Sequence, residues 1–240
     1  MADVYVMPDL RDAPTYPVFE AAHYLSIPVV TLRAWIFGRS YSAKVGKQFS
    51  EPLIELPDAN IKQLSFTNLV EAHVLRGIRS THHIPLEKVR VALDYVKRQF
   101  HTSHPLARIE FQTDGADLFI ESVGRLINTS QSGQLLMRAT FNSLLKRIEL
   151  DEAGLAAKLF PFTRANEEDA PKTVVIDPRI SFGRPVLVAT EVPTAVLAER
   201  YQAGQSIDEL AQEYDCDRLL IEEAIRCEFQ WWREHTKKRE

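Results

Sequence analysis

Hydrophobic positions near the front of the chain recur at helical spacing and then break off. Phe19, Ala22 and Leu25 fall at i, i+3 and i+6, giving residues 18–25 one apolar face. Ser26-Ile27-Pro28 interrupts the run, because proline cannot continue a helix interior but suits a first helical position. From there to Gly38 a second helix is predicted, with Val30, Leu32, Trp35 and Ile36 for packing. Thr31, Arg33 and the following Arg39 stay on or near its outer side. Two short helices joined by a tight turn, with small polar and Arg side chains on the second, form the pattern that enters a DNA major groove. An ordinary αα-hairpin in an all-α core has the same spacing.

The pattern changes after Gly38. Between residues 39 and 56, Tyr41, Val45, Phe49, Leu53, Ile54 and Leu56 are interleaved with Ser, Gly46 and Lys, which predicts a β-hairpin turning near Gly46. As a wing it would carry Tyr41 along a strand and bring Lys44 and Lys47 at its tip to sugar-phosphate. A solvated loop with two lysines is the plain alternative. Residues 65–81 read as a helix capped by Ser65 or Thr67, with Phe66, Leu69, Val70, Val74, Leu75 and Ile78 as its stripe. Arg76 and Arg79, three apart, share another face and are further candidates for DNA contact. Another helix is predicted over 85–100.

In residues 105–131, apolar runs flank Thr113-Asp114-Gly115, and Asp-Gly in that setting predicts a hairpin, with Val123, Leu126 and Ile127 extending a small sheet. A helix over 134–149, carrying Leu135, Leu136, Phe141 and Ile148, and an apolar run at 155–162 follow. The polar, acidic stretch at 166–172 reads as a linker. Beyond it lie a short strand at 174–178, a Gly/Pro-punctuated hairpin at 183–193, and helices at 194–203, 206–213 and 217–229. Gly204 ends the first of these helices, and Ser206 with Glu209 forms a capping box at the start of the second. The organisation expected is an arm (1–15), a winged helix-turn-helix (16–104), a central α+β region (105–165), the linker, a three-helix domain (173–229) and a tail (230–240). The fold class is mainly α, with small β-hairpins.

A chain of 240 residues has room for one or two domains, and 45% hydrophobic with 26% charged residues is an ordinary globular composition. No apolar run approaches the roughly 18 residues of a membrane span, and the acids Asp3, Asp9 and Asp12 argue against a signal peptide. Cys216 and Cys227 fit neither a disulfide framework nor a zinc spacing, so a reducing cytoplasm is expected. His82, His83, His101 and His104 lack Cys or carboxylates at ligand spacing, so no metal site is expected. No Gly-rich phosphate loop, G-x-S-x-G or H-E-x-x-H occurs, so neither an enzyme nor a cofactor is expected. Charge is unevenly placed. Residues 20–108 carry 12 basic against 7 acidic side chains, a net of +5, whereas 1–19 total −2 and 109–240 total −7. The basic excess coincides with the predicted helix-turn-helix, where phosphate neutralisation would supply affinity.

Two stretches resemble known families. Ala22, Leu25, Ile27, Thr31, Leu32, Arg33 and Trp35 match the A-x-x-L-x-[IV]-x-x-x-T-[LI]-R-x-W signature of MerR-like winged helix-turn-helix domains. The resemblance runs over about residues 16–100 and includes Ser65-Phe66-Thr67-Asn68-Leu69 and the helix that begins Ile84-Pro85-Leu86. Farther on, Asp177, Pro178, Ile180, Gly183, Pro185, Val186, Thr190, Val192, Pro193, Gly204, Ser206, Glu209, Leu210, Ala211 and Tyr214 are similar to a small three-helix domain family of unknown function, number 433. That resemblance implies a bacterial antitoxin of VapB type whose partner is a PIN-like ribonuclease toxin; with the first module, the chain is expected to act on operator DNA as a homodimer. Where that family carries basic residues around its G-T turn, this chain has Val188, Ala189 and Glu191, so DNA contact is expected to rest on the N-terminal module.

The chain closes on QWWREHTKKRE. On a helix Trp231 and Trp232 diverge by about 100°, so both cannot pack inward. Phe229, Trp231, Trp232, Arg233 and Lys237 form the expected toxin-binding set, aromatic plus basic being the composition of interface anchors. Packing of this tail on the chain's own middle region, or on a second copy, is the other reading. A MerR-like regulator that senses a small molecule through residues 105–165 stays open as an alternative, as does a pure interaction adaptor.

Overall fold

The computed structural model describes residues 9–43, 46–82, 84–127, 130–164 and 170–236, with backbone alone at 43, 79–82 and 230–236. Helices α1 (Val18–Tyr24) and α2 (Val29–Phe37) are followed by an antiparallel hairpin, β1 (Arg39–Ala43) and β2 (Gly46–Ser50). Four longer helices come next: α3 (Phe66–His82), α4 (Leu86–Phe100), α5 (Ala116–Ile127) and α6 (Gln131–Leu145). A second hairpin, β3 (Ile148–Leu150) and β4 (Ala156–Leu159), leads to a third, β5 (Val174–Val175) and β6 (Val186–Leu187). The chain ends in α7 (Thr194–Gln202), α8 (Ile207–Glu213) and α9 (Arg218–Thr236). The protein is mainly helical, with small two-stranded sheets and an N-terminal helix-turn-helix. Among the described residues no helix is long and apolar enough to cross a membrane.

The turn between α1 and α2 is a Schellman motif. Ile27 N–H reaches Ala22 O (2.9 Å) and Ser26 N–H reaches His23 O (3.0 Å), with Ser26 in the left-handed region at φ 51°. Leu25, Ile27, Leu32, Trp35 and Ile36 are buried, but Phe19 and Val30, expected on packing faces, are 57% and 75% exposed. The α3 start is capped by Ser65, whose Oγ accepts from Asn68 N–H (3.2 Å) while Asn68 Oδ1 accepts from Ser65 N–H (3.2 Å). Thr67, the other capping candidate, donates instead to Asp12 Oδ1 (2.6 Å). That bond and the Arg11–Asp151 ion pair tie down residues 9–15, the described part of the expected arm.

Three expectations for the middle of the chain are corrected. The predicted hairpin at 113–115 is a π-helical turn, Phe111–Gly115, that runs directly into α5. Gly115 does not adopt the positive φ that a tight hairpin requires, and Phe119, Ile120 and Val123 are buried at helical spacing. The residues expected to extend a sheet are therefore helical. Ile148 ends no helix; it pairs with Leu159 in the second hairpin. Leu135 and Leu136, expected in the helix stripe, are 67% and 55% exposed. The rings of Phe111, Phe119 and Phe141 lie 5.5–6.5 Å apart and fill the space between these helices. They belong to the same buried cluster as Trp35, Leu69 and Val96, so residues 16–104 and 105–165 share one core.

The C-terminal module has its own core of Leu187, Leu197, Leu210, Ile221, Ala224 and Ile225. Its capping box is present, with Ser206 N–H on Glu209 Oε2 (2.7 Å) and Glu209 N–H on Ser206 Oγ (3.2 Å), and Gly204 takes φ 103°. Carboxylates on α9 hold this module to the body. The buried Glu223 accepts from the Thr163 hydroxyl and from Arg164 Nη2 (2.9 Å), and Glu228 pairs with His23 of α1 (2.9 Å). Residues 163–164 are thus held by α9, while 165 and the first part of the expected linker, 166–169, lie outside the described residues.

His73 of α3 is 1% exposed, stacks on Phe162 (centroids 5.4 Å apart) and reaches Leu144 O at 3.3 Å. Burial, with Arg76 adding repulsion, lowers its pKa from 6.5 to about 3. The native state then keeps this ring neutral while the unfolded chain takes up a proton, so stability contributed above pH 6.5 is lost as pH falls toward 3. Relative to His73→Gln, the wild type should lose up to about 1.4 kcal/mol more per pH unit in this window. Urea unfolding between pH 7 and pH 4 measures it, and parallel pH profiles would refute the assignment.

Candidate nucleic-acid interface

The second helix of the helix-turn-helix presents one solvent face. Leu32, Trp35 and Ile36 turn inward, which leaves Val30, Arg33 and part of Phe37 outward at three- and four-residue spacing. The Arg33 guanidinium lies over the Phe37 ring, 5.3 Å from its centroid, and has no carboxylate partner among the described residues. Stacking on Phe37 restrains a long side chain while its fork of donors stays open to a planar acceptor pair such as a guanine edge. Thr31 is partly exposed in the first turn of α2, and its backbone N–H is taken by Pro28 O (2.8 Å).

The hairpin and the segment after it are held at three points, two at the end of this helix and one by α4. Gly38 takes φ 72°, and a Cβ there would lie 2.4 Å from Ser50 O and 2.5 Å from the Phe49 ring. Trp35 O accepts from Leu53 N–H (2.7 Å) and Ile54 N–H (3.1 Å), which uses a carbonyl left open by the helix end. Arg90 of α4 reaches Ser50 Oγ (3.3 Å) and the Glu51 carbonyl.

The candidate residues distribute unevenly over this surface. Arg39 and Tyr41 share one face of the ribbon, and Tyr41 Oη donates to Gln48 Oε1 across the strands (2.8 Å). Lys47, opposite Ser42, is exposed on the other face. Lys44 lies outside the described residues, as does the side chain of Arg79. Arg76 is half-buried with its guanidinium 5.5 Å from the Phe162 ring, so it packs within the body and is no part of the α2–wing surface. At the other end of the chain, Phe229, expected in the toxin contact, is half-buried against Tyr201 (6.3 Å between centroids) and packs on its own module's core. α9 runs on to Thr236, but the side chains of Trp231, Trp232 and Arg233, and all of Lys237, lie outside the described residues.

A family model described as "Putative DNA-binding HTH domain" matches residues 14–93, and one described as "Protein of unknown function (DUF433)" matches residues 174–226. The two matches lie in one chain, the helix-turn-helix model ahead of the DUF433 model. Along most of its length it is similar to two proteins of Mycobacterium tuberculosis. One, named "Putative antitoxin VapB45", is 28% identical over 89% of this chain and 93% of its own. The other, "Uncharacterized protein Rv2308", is 22% identical over 90% of each. The crystal structure of Rv2018 from the same organism shares the fold, with a TM-score of 0.65 and 23% identity over 90% of this chain and 98% of that one.

Sequence reasoning missed the groups that position this helix-turn-helix surface. Gly38 stands just past the last periodic residue, a recognisable helix-stop signal, although its contact with Ser50 is not legible there. Arg90 offers no local signal, because its partners lie about forty residues upstream. Gly38→Ala combines a left-handed φ with a backbone clash and should cost about 1–3 kcal/mol. Urea unfolding reads that loss, and an unchanged midpoint would show that the clamp is not rigid.

Proposed function

We propose that this chain is the antitoxin of a VapBC-like toxin–antitoxin system. It binds operator DNA through α2 and the wing as a dimer, represses its own operon in the cytoplasm, and neutralises a PIN-like ribonuclease toxin through its C-terminal region. The observation that carries the DNA half is Arg33, exposed, stacked on Phe37 and without a carboxylate partner among the described residues, on the second helix of a helix-turn-helix domain. Likeness to a protein named as an antitoxin along nearly the whole chain supports the other half. The MerR-like character of the first module stays within this proposal, and it is weakened as a small-molecule sensor by the three phenylalanine rings that occupy the middle of residues 105–165.

In this reading Arg33 contacts base edges, and Arg39 and Lys47 contact phosphate from the two sides of the ribbon. Arg33→Ala with Arg39→Ala should weaken operator binding about 10-fold or more per lost base contact, leaving toxin binding intact. Gel shifts against the upstream region test it, and equal affinity would remove α2 as the reading helix. Toxin contact is placed on α9 beyond the module's core. A chain ending at Gln230, which keeps Phe229 in its packing against Tyr201, should fold yet release toxin activity on co-expression. Full protection of growth by the shortened chain would move that contact elsewhere.

A further inference from the structure

Three consecutive residues of the DUF433 module, Ser181, Phe182 and Gly183, take left-handed backbone angles (φ 48°, 57° and 74°). Such a run is unfavourable for L-residues and persists only where its surroundings impose it. Here they do. A Cβ on Gly183 would lie 2.1 Å from Tyr16 Oη, Gly183 N–H bonds Ile180 O (2.9 Å), and Ile180 packs against the buried Phe160, Val175 and Val186. The consequence is that Phe182 stands 89% exposed. A large aromatic ring held outward by constrained backbone has the character of an interface anchor.

Beside it lies a receptacle of matching size. Arg184 and Pro185 form one wall of a cleft of about 330 Å³, closed by Phe19 and Tyr24 of α1 and by Pro193 and Ala195 at the start of α7. Cavities of roughly 150 Å³ already accept a benzene ring. Phe182 precedes the cleft residue Arg184 by two positions, and the chain leaves its left-handed run at Arg184 (φ −72°, ψ 150°). A two-fold axis passing between ring and cleft would place each copy's ring in the other's cleft, the self-complementary arrangement of a closed dimer. Charges at the rim agree. Arg184 is exposed without an ion-pair partner among the described residues, and Glu20 stands on the α1 wall of the same cleft.

We propose that the chain pairs with a second copy of itself through this face, Phe182 of each copy entering the cleft between α1 and α7 of the other and Arg184 facing Glu20 across the axis. This gives a surface to the dimer of the preceding section and rests on that reading. Because α1 is a cleft wall and also packs on α2, the same contact would set the distance between two reading helices, which must match successive turns of the duplex.

Sedimentation equilibrium on the full chain, without DNA or toxin, tests it. The wild type should sediment at twice the chain mass. Phe182→Asp should dissociate at least tenfold more readily. Phe182→Gly, which removes the ring while suiting the backbone, should behave alike and keep the wild-type circular dichroism. Glu20→Arg and Arg184→Glu should each weaken the dimer, and the two combined in one chain should restore it. A monomeric wild type, a dimer indifferent to both Phe182 variants, or a charge exchange without recovery would overturn the proposal. Operator retardation of the same samples is read separately. A monomer that still retards operator would overturn this face alone and leave the DNA reading intact.

Discussion

Arg147 is a buried cation, and much of the architecture follows from how main-chain carbonyls gather around it. Its guanidinium donates to the carbonyls of Phe160 (2.9 Å), Pro161 (2.9 Å), Ala170 (2.7 Å) and Pro171 (3.0 Å), and it lies 4.9 Å from the Phe162 ring. Two of those acceptors belong to prolines, which bring no N–H of their own to pair a neighbouring carbonyl. The segment leaving β4 is thereby gathered around one side chain at the edge of the core. A buried charge removed from water is costly unless donors and acceptors are matched, and these four carbonyls contribute to that match.

From that anchor the constraint passes along the chain. Leu159 and Ile176 exchange both backbone bonds (3.0 and 2.8 Å), which ties β4 to the entry of the DUF433 module. Thr163 and Arg164, just past Phe162, reach Glu223 of α9, and five residues later Glu228 reaches His23 of α1. The helix that ends the chain is therefore pinned to the helix that opens the helix-turn-helix. The two modules have separate cores but share polar joints in which Thr163 and Glu223 are buried, so leaving either unmatched would carry an uncompensated desolvation cost. This coupling joins the helix-turn-helix and the C-terminal module through α1 and α9.

The surface assigned to DNA follows a different logic. Its affinity would come from exposed, unpaired cations, and its specificity from holding one of them still. Stacking of Arg33 on Phe37 and the clamp at Gly38 achieve both without burying charge. Arg76 shows the contrast: it lies within the same basic segment, yet its guanidinium covers Phe162 and serves packing.

Local signals carried much of the plan. Proline and the apolar spacing defined the helix-turn-helix, Ser65 and the Ser206–Glu209 box marked helix starts, and Gly46 and Gly204 marked turns, because caps, breakers and periodicity act over a few residues. Tertiary structure alone decided the rest. Asp114-Gly115 became part of a helical turn because burying Phe111, Phe119 and Phe141 together outweighed a local hairpin preference. Phe19 and Val30 kept a helical period yet face solvent, and Arg76 and Phe229 were withdrawn into packing, since periodicity names a face without naming what covers it. Arg90 on Ser50, His23 on Glu228 and Arg147 on its four carbonyls join residues from 13 to 205 positions apart, a distance over which no sequence spacing carries a signal.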